Sequence, residues 1–100
     1  MNAHKVKLVT IVTEAALESQ LVKEVELLGV KGYTLTNARG KGSRGSRSAA
    51  WDANANIRLE MICDSEVAKR IADHVTKTYY EHYAMVFFTS DIEVLRPQKF

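Results

Sequence analysis

The run Lys5-Val6-Lys7-Leu8-Val9-Thr10-Ile11-Val12 restricts the fold more than any other stretch of this chain. It opens with alternation and ends almost continuously apolar and β-branched. That is the pattern of a strand covered on both faces, and so of a central strand. A chain of 100 residues suits one domain spanning 1–100, in which about two thirds of the unfolded surface can be buried. Both covers of the first strand must therefore come from a small stock of further elements.

Thr13 is the expected N-cap of the first helix, with Glu14 favourable in its first turn. Leu17, Leu21, Val25 and Leu28 recur at helical spacing, and Gly29 is placed to end the helix. Gly32 to Arg39 reads as a second strand, with Tyr33, Leu35 and Asn37 on one face and Thr34, Thr36 and Ala38 on the other. Residues 40–55 carry no periodicity and form a long loop. Asn56 to Cys63 alternates again and reads as a third strand. Asp64 or Ser65 caps a second helix with the stripe Val67, Ile71 and Val75, flanked by Ala68 and Ala72. Met85 to Thr89 is a fourth strand, followed by a short Ile92 to Leu95 segment and closed by Pro97.

The order β-α-β-β-α-β, plus a terminal strand, is the α+β, ferredoxin-like plan, with both helices on one face of an antiparallel sheet. The other face ought to be wet. Yet Leu8 and Val12 oppose Val9 and Ile11, and Phe88 opposes Phe87. With no third helix to cover that face, a second copy of the chain is the expected cover, which predicts a homo-oligomer.

Composition narrows the function. An apolar fraction of 46% and a charged fraction of 26% are those of a soluble globular domain. No apolar run approaches the ~20 residues of a membrane span. The N-terminus leads into a strand without the apolar core of a secretory signal, so a cytoplasmic location is expected. The single Cys63 excludes an internal disulfide and a multi-cysteine metal site. His4, His74 and His82 lack ligand spacing and read as surface residues, and no nucleophile–base arrangement occurs. Glu60 and Asp64, four apart along a strand, would stand about 13 Å from each other. No metal site, no obligatory cofactor and no catalytic role are expected.

The charge is concentrated. From Arg39 to Asp52 the chain holds four cations against one carboxylate, a local charge of +3 in a molecule of net +2. The same segment holds three of the five glycines. Glycines let backbone N–H groups turn toward an anion, and serines add hydroxyl donors. Arg44 and Arg47 converge on one phosphate if the loop turns. The alternative is a solvated basic loop with no ligand.

Gly40-x-Gly42-x-x-Gly45 matches the letters of a dinucleotide fingerprint, but no helix start follows its third glycine, so the phosphate-binding helix N-terminus is missing. Trp51 is either a contact for a partner protein or packs back onto the domain. The Tyr79 to Tyr83 cluster either stacks a base or belongs to the helix-end core or a subunit interface.

The element order with its long loop resembles the PII signalling superfamily. Lys31-Gly32-Tyr33-Thr34, Asn37 and Gly40-Lys41-Gly42-Ser43-Arg44-x-x-Arg47-Ser48 look like the cyanobacterial PII-like SbtB type in particular. Thr13-Glu14, Ala55-Asn56-Ile57, Ile71-Ala72-Asp73, Tyr83-Ala84 and Glu93-Val94-Leu95 extend the likeness over nearly the whole chain.

The resemblance implies a PII-like homotrimer that binds adenine nucleotides (cyclic AMP, AMP, ADP and ATP) in clefts between subunits. It also implies an effector loop, about residues 40–55, that acts on a sodium-dependent bicarbonate transporter of the inner membrane. Carried over by position, Arg44 and Arg47 would hold the phosphate, with Gly42 and Ser43 offering backbone and hydroxyl groups. Gly40 and Thr34 would lie near the adenine, and Lys41 and Asn56 complete the nucleotide-binding set. Three departures stand out. The chain ends Leu95-Arg96-Pro97-Gln98-Lys99-Phe100, without the Cys-Gly-Pro-x-Gly-Cys extension of some members. Tyr83-Ala84-Met85 replaces a glycine-rich phosphate loop, which eases a monophosphate or cyclic phosphate relative to a triphosphate. Residues 40–55 hold no tyrosine to modify. Two other functions are compatible with the fold: RNA binding, which requires exposed aromatics on the central strands, and weak nucleotide hydrolysis, which requires a base or metal cluster.

Overall fold

The computed structural model of the protein describes residues 4–40 and 55–96. The elements run β1 (His4–Glu14), a 3-10 turn (Ala15–Leu17), α1 (Glu18–Leu27), β2 (Thr34–Ala38), β3 (Asn56–Cys63), α2 (Ser65–Thr78) and β4 (Val86–Val94). The four strands form one antiparallel sheet in the order β2-β3-β1-β4. This is the ferredoxin-like arrangement, and it places β1 and β3 at the centre, as the doubly apolar first strand requires.

Register explains the two faces. Leu35, Leu59, Ile11 and Phe87 stand side by side across the four strands, and Met61 and Val9 form the neighbouring row. Val9, Ile11, Leu59 and Met61 are buried with Leu21 and Val25 of α1 and Val67, Ala68, Ile71 and Val75 of α2, so the core lies between the sheet and its helices. The opposite face carries the rows Thr34–Glu60–Thr10–Phe88 and Thr36–Arg58–Val12–Val86. Leu8, Val12 and Ile62 are half-buried there, and Val86 and Phe88 are exposed. The one-layer sheet thus presents an apolar strip along β1 and β4 that no described element of the protomer covers.

Three local expectations are corrected. Thr13 is not a helix cap: it is the penultimate residue of β1, fully buried, with no partner for its hydroxyl among the described residues. The sheet ladder extends β1 as far as Glu14, opposite Asn56, and the helix is entered through the 3-10 turn instead. The second strand is shorter than Gly32 to Arg39, because β3 pairs it only from Thr34 to Ala38. The fourth strand and the terminal segment are one element, since β1 pairs continuously with Val86–Val94.

The second helix starts as expected at Asp64, whose carboxylate accepts from the Val67 N–H at 2.8 Å. Gly29 ends the α1 region with φ of +117°, a conformation that L side chains rarely adopt.

Candidate functional site

The long loop leaves and re-enters the sheet at one place. Ala38, the last residue of β2, pairs with Asn56, the first of β3, and Asn56 pairs on its other side with Glu14. The Ala15 N–H donates to the Ala55 carbonyl at 2.7 Å, which ties the loop exit to the end of β1. Asn56 is buried at this junction, whereas Arg39 and Gly40 are exposed on the outgoing side. A Cβ at Gly40 would meet none of the described residues within 4 Å.

Gly40 and Asn56 therefore stand at the same end of the sheet. Thr34 does not: it pairs with Glu60 at the far end of β2, about 13 Å along the strand from the Ala38–Asn56 pair. Within one protomer the register thus sets Thr34 four strand positions from the pair at the loop base. Lys41, Gly42, Ser43, Arg44 and Arg47 lie outside the described residues, as does Trp51.

Arg58 is a residue that sequence reasoning did not single out. It shares the open face with Asn56, one row from the loop base, and pairs with Glu60 at 3.3 Å with its side chain about half exposed. The base of the loop thus carries Arg39 and Arg58 as exposed cations beside Glu14 and Glu60. An exposed pair of this length contributes little to stability, and its guanidinium stays available to another anion. The period-2 pattern of β3 was enough to place Arg58 beside Asn56; what the pattern lacked was the neighbouring strand.

At the far end of the sheet lies a groove of about 490 Å³ lined by Lys5, Val6, Lys7, Asp64, Ser65, Asp91, Ile92 and Glu93. Part of its charge is matched internally. Lys7 donates to Asp91 and, through that hydrogen bond and its charge, holds the carboxyl below the usual range. Lys5 faces Glu93 across the ladder, and Asp64 caps α2. Among the described residues no group of three His, Cys, Asp or Glu side chains is placed to hold a metal ion, and no helix is long and apolar enough to cross a membrane.

The tyrosine cluster divides. Tyr79 is core, whereas Tyr80 and Tyr83 are part-exposed. His74 is not a plain surface residue: it meets Glu24 of α1 at 2.8 Å. The open faces of the two central strands, Leu8, Thr10 and Val12 with Arg58, Glu60 and Ile62, offer no aromatic ring for stacking a base.

Comparison with known proteins agrees with this architecture. The sequence profile described as nitrogen regulatory protein P-II matches residues 6–99. A PII-like signaling protein from Thermus thermophilus, TTHA0516, is 49% identical, with 100% of this chain and 99% of that one covered and a TM-score of 0.84. CPII from Thiomonas intermedia, a nitrogen regulatory PII-like protein, is 27% identical in a structure bound to ADP, AMP and bicarbonate, with 96% and 99% coverage and a TM-score of 0.81. In a second structure CPII is bound to ADP, AMP and acetate, at 27% identity, 100% and 98% coverage and a TM-score of 0.86. A sheet of order β2-β3-β1-β4 backed by two helices, a long loop between β2 and β3, and a family match over nearly the full length lead to one conclusion: this chain belongs to the P-II family.

Proposed function

We propose that the protein is a non-catalytic nucleotide sensor of the SbtB type. It forms a homotrimer, binds adenine nucleotides between subunits, and regulates a sodium-dependent bicarbonate transporter at the inner membrane through its long loop. The observation that carries the reading is the likeness to CPII, a protein bound to ADP and AMP, over 96% of this chain. The uncovered apolar strip along β1 and β4 supports assembly, because an exposed strip of this kind is the usual mark of a subunit contact.

Assembly also resolves the separation of Thr34 from Gly40. A cleft between subunits draws its two walls from different protomers, so the two residues need not meet within one. On this reading Arg44 and Arg47 grip the phosphate, Lys41, Gly42 and Ser43 add donors, and Asn56 fixes the loop exit. The ligand set is AMP, ADP, ATP and cyclic AMP. The mechanism is a population shift: a bound phosphate draws the two arginines inward, and the partner meets a different set of loop shapes. Nucleotides act oppositely on the partner only where they bind those shapes with different free energies.

Calorimetry with a nucleotide panel tests the site. Wild type should bind adenine nucleotides, and the double variant Arg44→Ala, Arg47→Ala should lose affinity at least tenfold, since hydrogen bonds to charged groups contribute about 1.5–3 kcal/mol each. Unchanged affinity in the double variant would sink the phosphate assignment.

A further inference from the structure

A directed chain of side-chain hydrogen bonds crosses the seam between the two helices. Gln20 Nε2 of α1 donates to the Tyr79 hydroxyl at 2.8 Å, and that hydroxyl donates to Glu24 Oε1 at 2.5 Å. His74 Nε2 meets the same Glu24 oxygen at 2.8 Å. An ionised carboxylate only accepts, so the His74 nitrogen donates, and two donors converge on one oxygen. Tyr79 itself is almost fully buried, at 1% exposure. Its ring lies edge-on to Tyr83, with centroids 5.7 Å apart, and edge-on to His74 at 6.2 Å.

Tyr79 is also the backbone anchor of the turn between α2 and β4. Its carbonyl accepts from the His82 N–H at 3.1 Å and from the Tyr83 N–H at 2.9 Å. One residue therefore holds the turn with its main chain and α1 with its side chain. We propose that Glu24 is the centre of a pH-dependent latch that ties α1 to the turn joining α2 to β4.

The groups acting on the carboxylate are the ones just named. Gln20 comes from its own helix, and His74 and Tyr79 come from α2 and its C-terminal end. Tyr83 adds to the field at Tyr79. Arg70, one turn before His74, points elsewhere and donates to the Leu28 carbonyl at 3.2 Å. The sheet side of the seam is apolar, with Ile71 and Val75 fully buried beneath.

Burial pushes the Glu24 carboxyl up, but the hydrogen bonds from Tyr79 and His74, with the charge of His74, hold it below its ordinary value of 4.5. Burial, with the Glu24 hydrogen bond and charge, pushes the Tyr79 hydroxyl upward, so it stays a donor throughout. A depressed carboxyl contributes stability that is fully present above 4.5 and is lost as pH falls through the folded-state value. Protonated, Glu24 keeps an acceptor oxygen but loses the charge that strengthens both bonds and gains an O–H donor beside two others, and the latch loosens.

Amide hydrogen exchange read residue by residue, on the full chain at pH 7, tests the latch. Glu24→Gln, Gln20→Ala and Tyr79→Phe should speed exchange at the His82 and Tyr83 amides. The expected increase for Glu24→Gln is about tenfold, the effect of losing one charge-assisted bond. The Val67 amide, held by Asp64 at the other end of α2, should keep its rate. The melting-temperature gap between wild type and Glu24→Gln should close as the buffer is taken below pH 4.5, the ordinary carboxyl value. Exchange that rises equally at Val67, exchange unchanged at His82 and Tyr83, or a gap that ignores pH would each overturn the proposal. Should Tyr79→Phe fail to fold, Glu24→Gln decides, because it keeps the shape of the side chain while removing its charge and one of its two acceptor oxygens.

Discussion

Phe88 offers the sharpest test of the uncovered sheet face. It stands 41% exposed beside Thr10, in the row Thr34–Glu60–Thr10–Phe88. Of the ring's roughly 200 Å² of surface, about 80 Å² is therefore still open in the protomer. Covering that area with another subunit contributes about 2 kcal/mol at 25 cal/mol/Å². Phe88→Ala should weaken each subunit contact by about thirtyfold on this count. Phe88→Lys adds the cost of burying an ammonium and should prevent assembly altogether. Sedimentation velocity over a concentration series measures both. Wild type should sediment as a trimer, Phe88→Ala should dissociate on dilution, and Phe88→Lys should run as the 11.2 kDa protomer. Circular dichroism should show the same helix and strand content in all three, because the ring lies outside the core between sheet and helices. A Phe88→Lys protein with the mass of wild type would refute the reasoning and return this face to solvent.

Other substitutions probe single links between sequence and fold. Gly29→Ala should destabilise by about 1–2 kcal/mol in urea, because φ of +117° is strained for a residue with a side chain and its Cβ would sit 3.1 Å from the Arg70 guanidinium. Asp64→Ala removes the cap on the Val67 N–H and should cost about 1 kcal/mol, visible as a lower melting temperature. Thr13→Val keeps shape and deletes a buried hydroxyl that has no partner among the described residues, so the urea midpoint should hold or rise, by up to about 1 kcal/mol in stability.

The sheet was legible because its signals are local and periodic. The apolar run from Leu8 to Val12 demanded a central strand with two covers, and β1 is central, with helices on one side and an open strip on the other. Asn56–Cys63 kept its bounds because turn-forming residues flank a clean alternation. Thr13 was misread because a β-branched residue before a glutamate satisfies the rules for a strand end and for a helix cap alike, and only the pairing of Thr13 with Ile57 decides between them. The division at Ser90-Asp91 came from two polar residues in sequence, which the ladder to Leu8 and Lys7 overrides.

The helix seam was harder to see. Gln20 and Glu24 are four apart and share a face of α1, a visible signal. His74 and Tyr79 are five apart, which does not align them on a helix; they meet because Tyr79 sits past the last turn, as the C-cap of α2. Thr34, Gly40 and Asn56 were grouped by resemblance, a source that carries no register, and the strand pairing separates the first from the other two.

The junction at Ala38, Asn56, Glu14 and Ala15 has a consequence for how such proteins diversify. Both ends of the segment are fixed within adjacent strands by ladder pairing and by the Ala15–Ala55 bond. The entropic cost of a closed chain grows only with the logarithm of its length, by about 0.6 kcal/mol for each doubling. Residues between the two anchors are thus open to insertion, deletion or replacement with little penalty to the sheet that carries them. Evolution, or a protein engineer, can exchange that segment as a cassette while leaving the scaffold's sequence untouched.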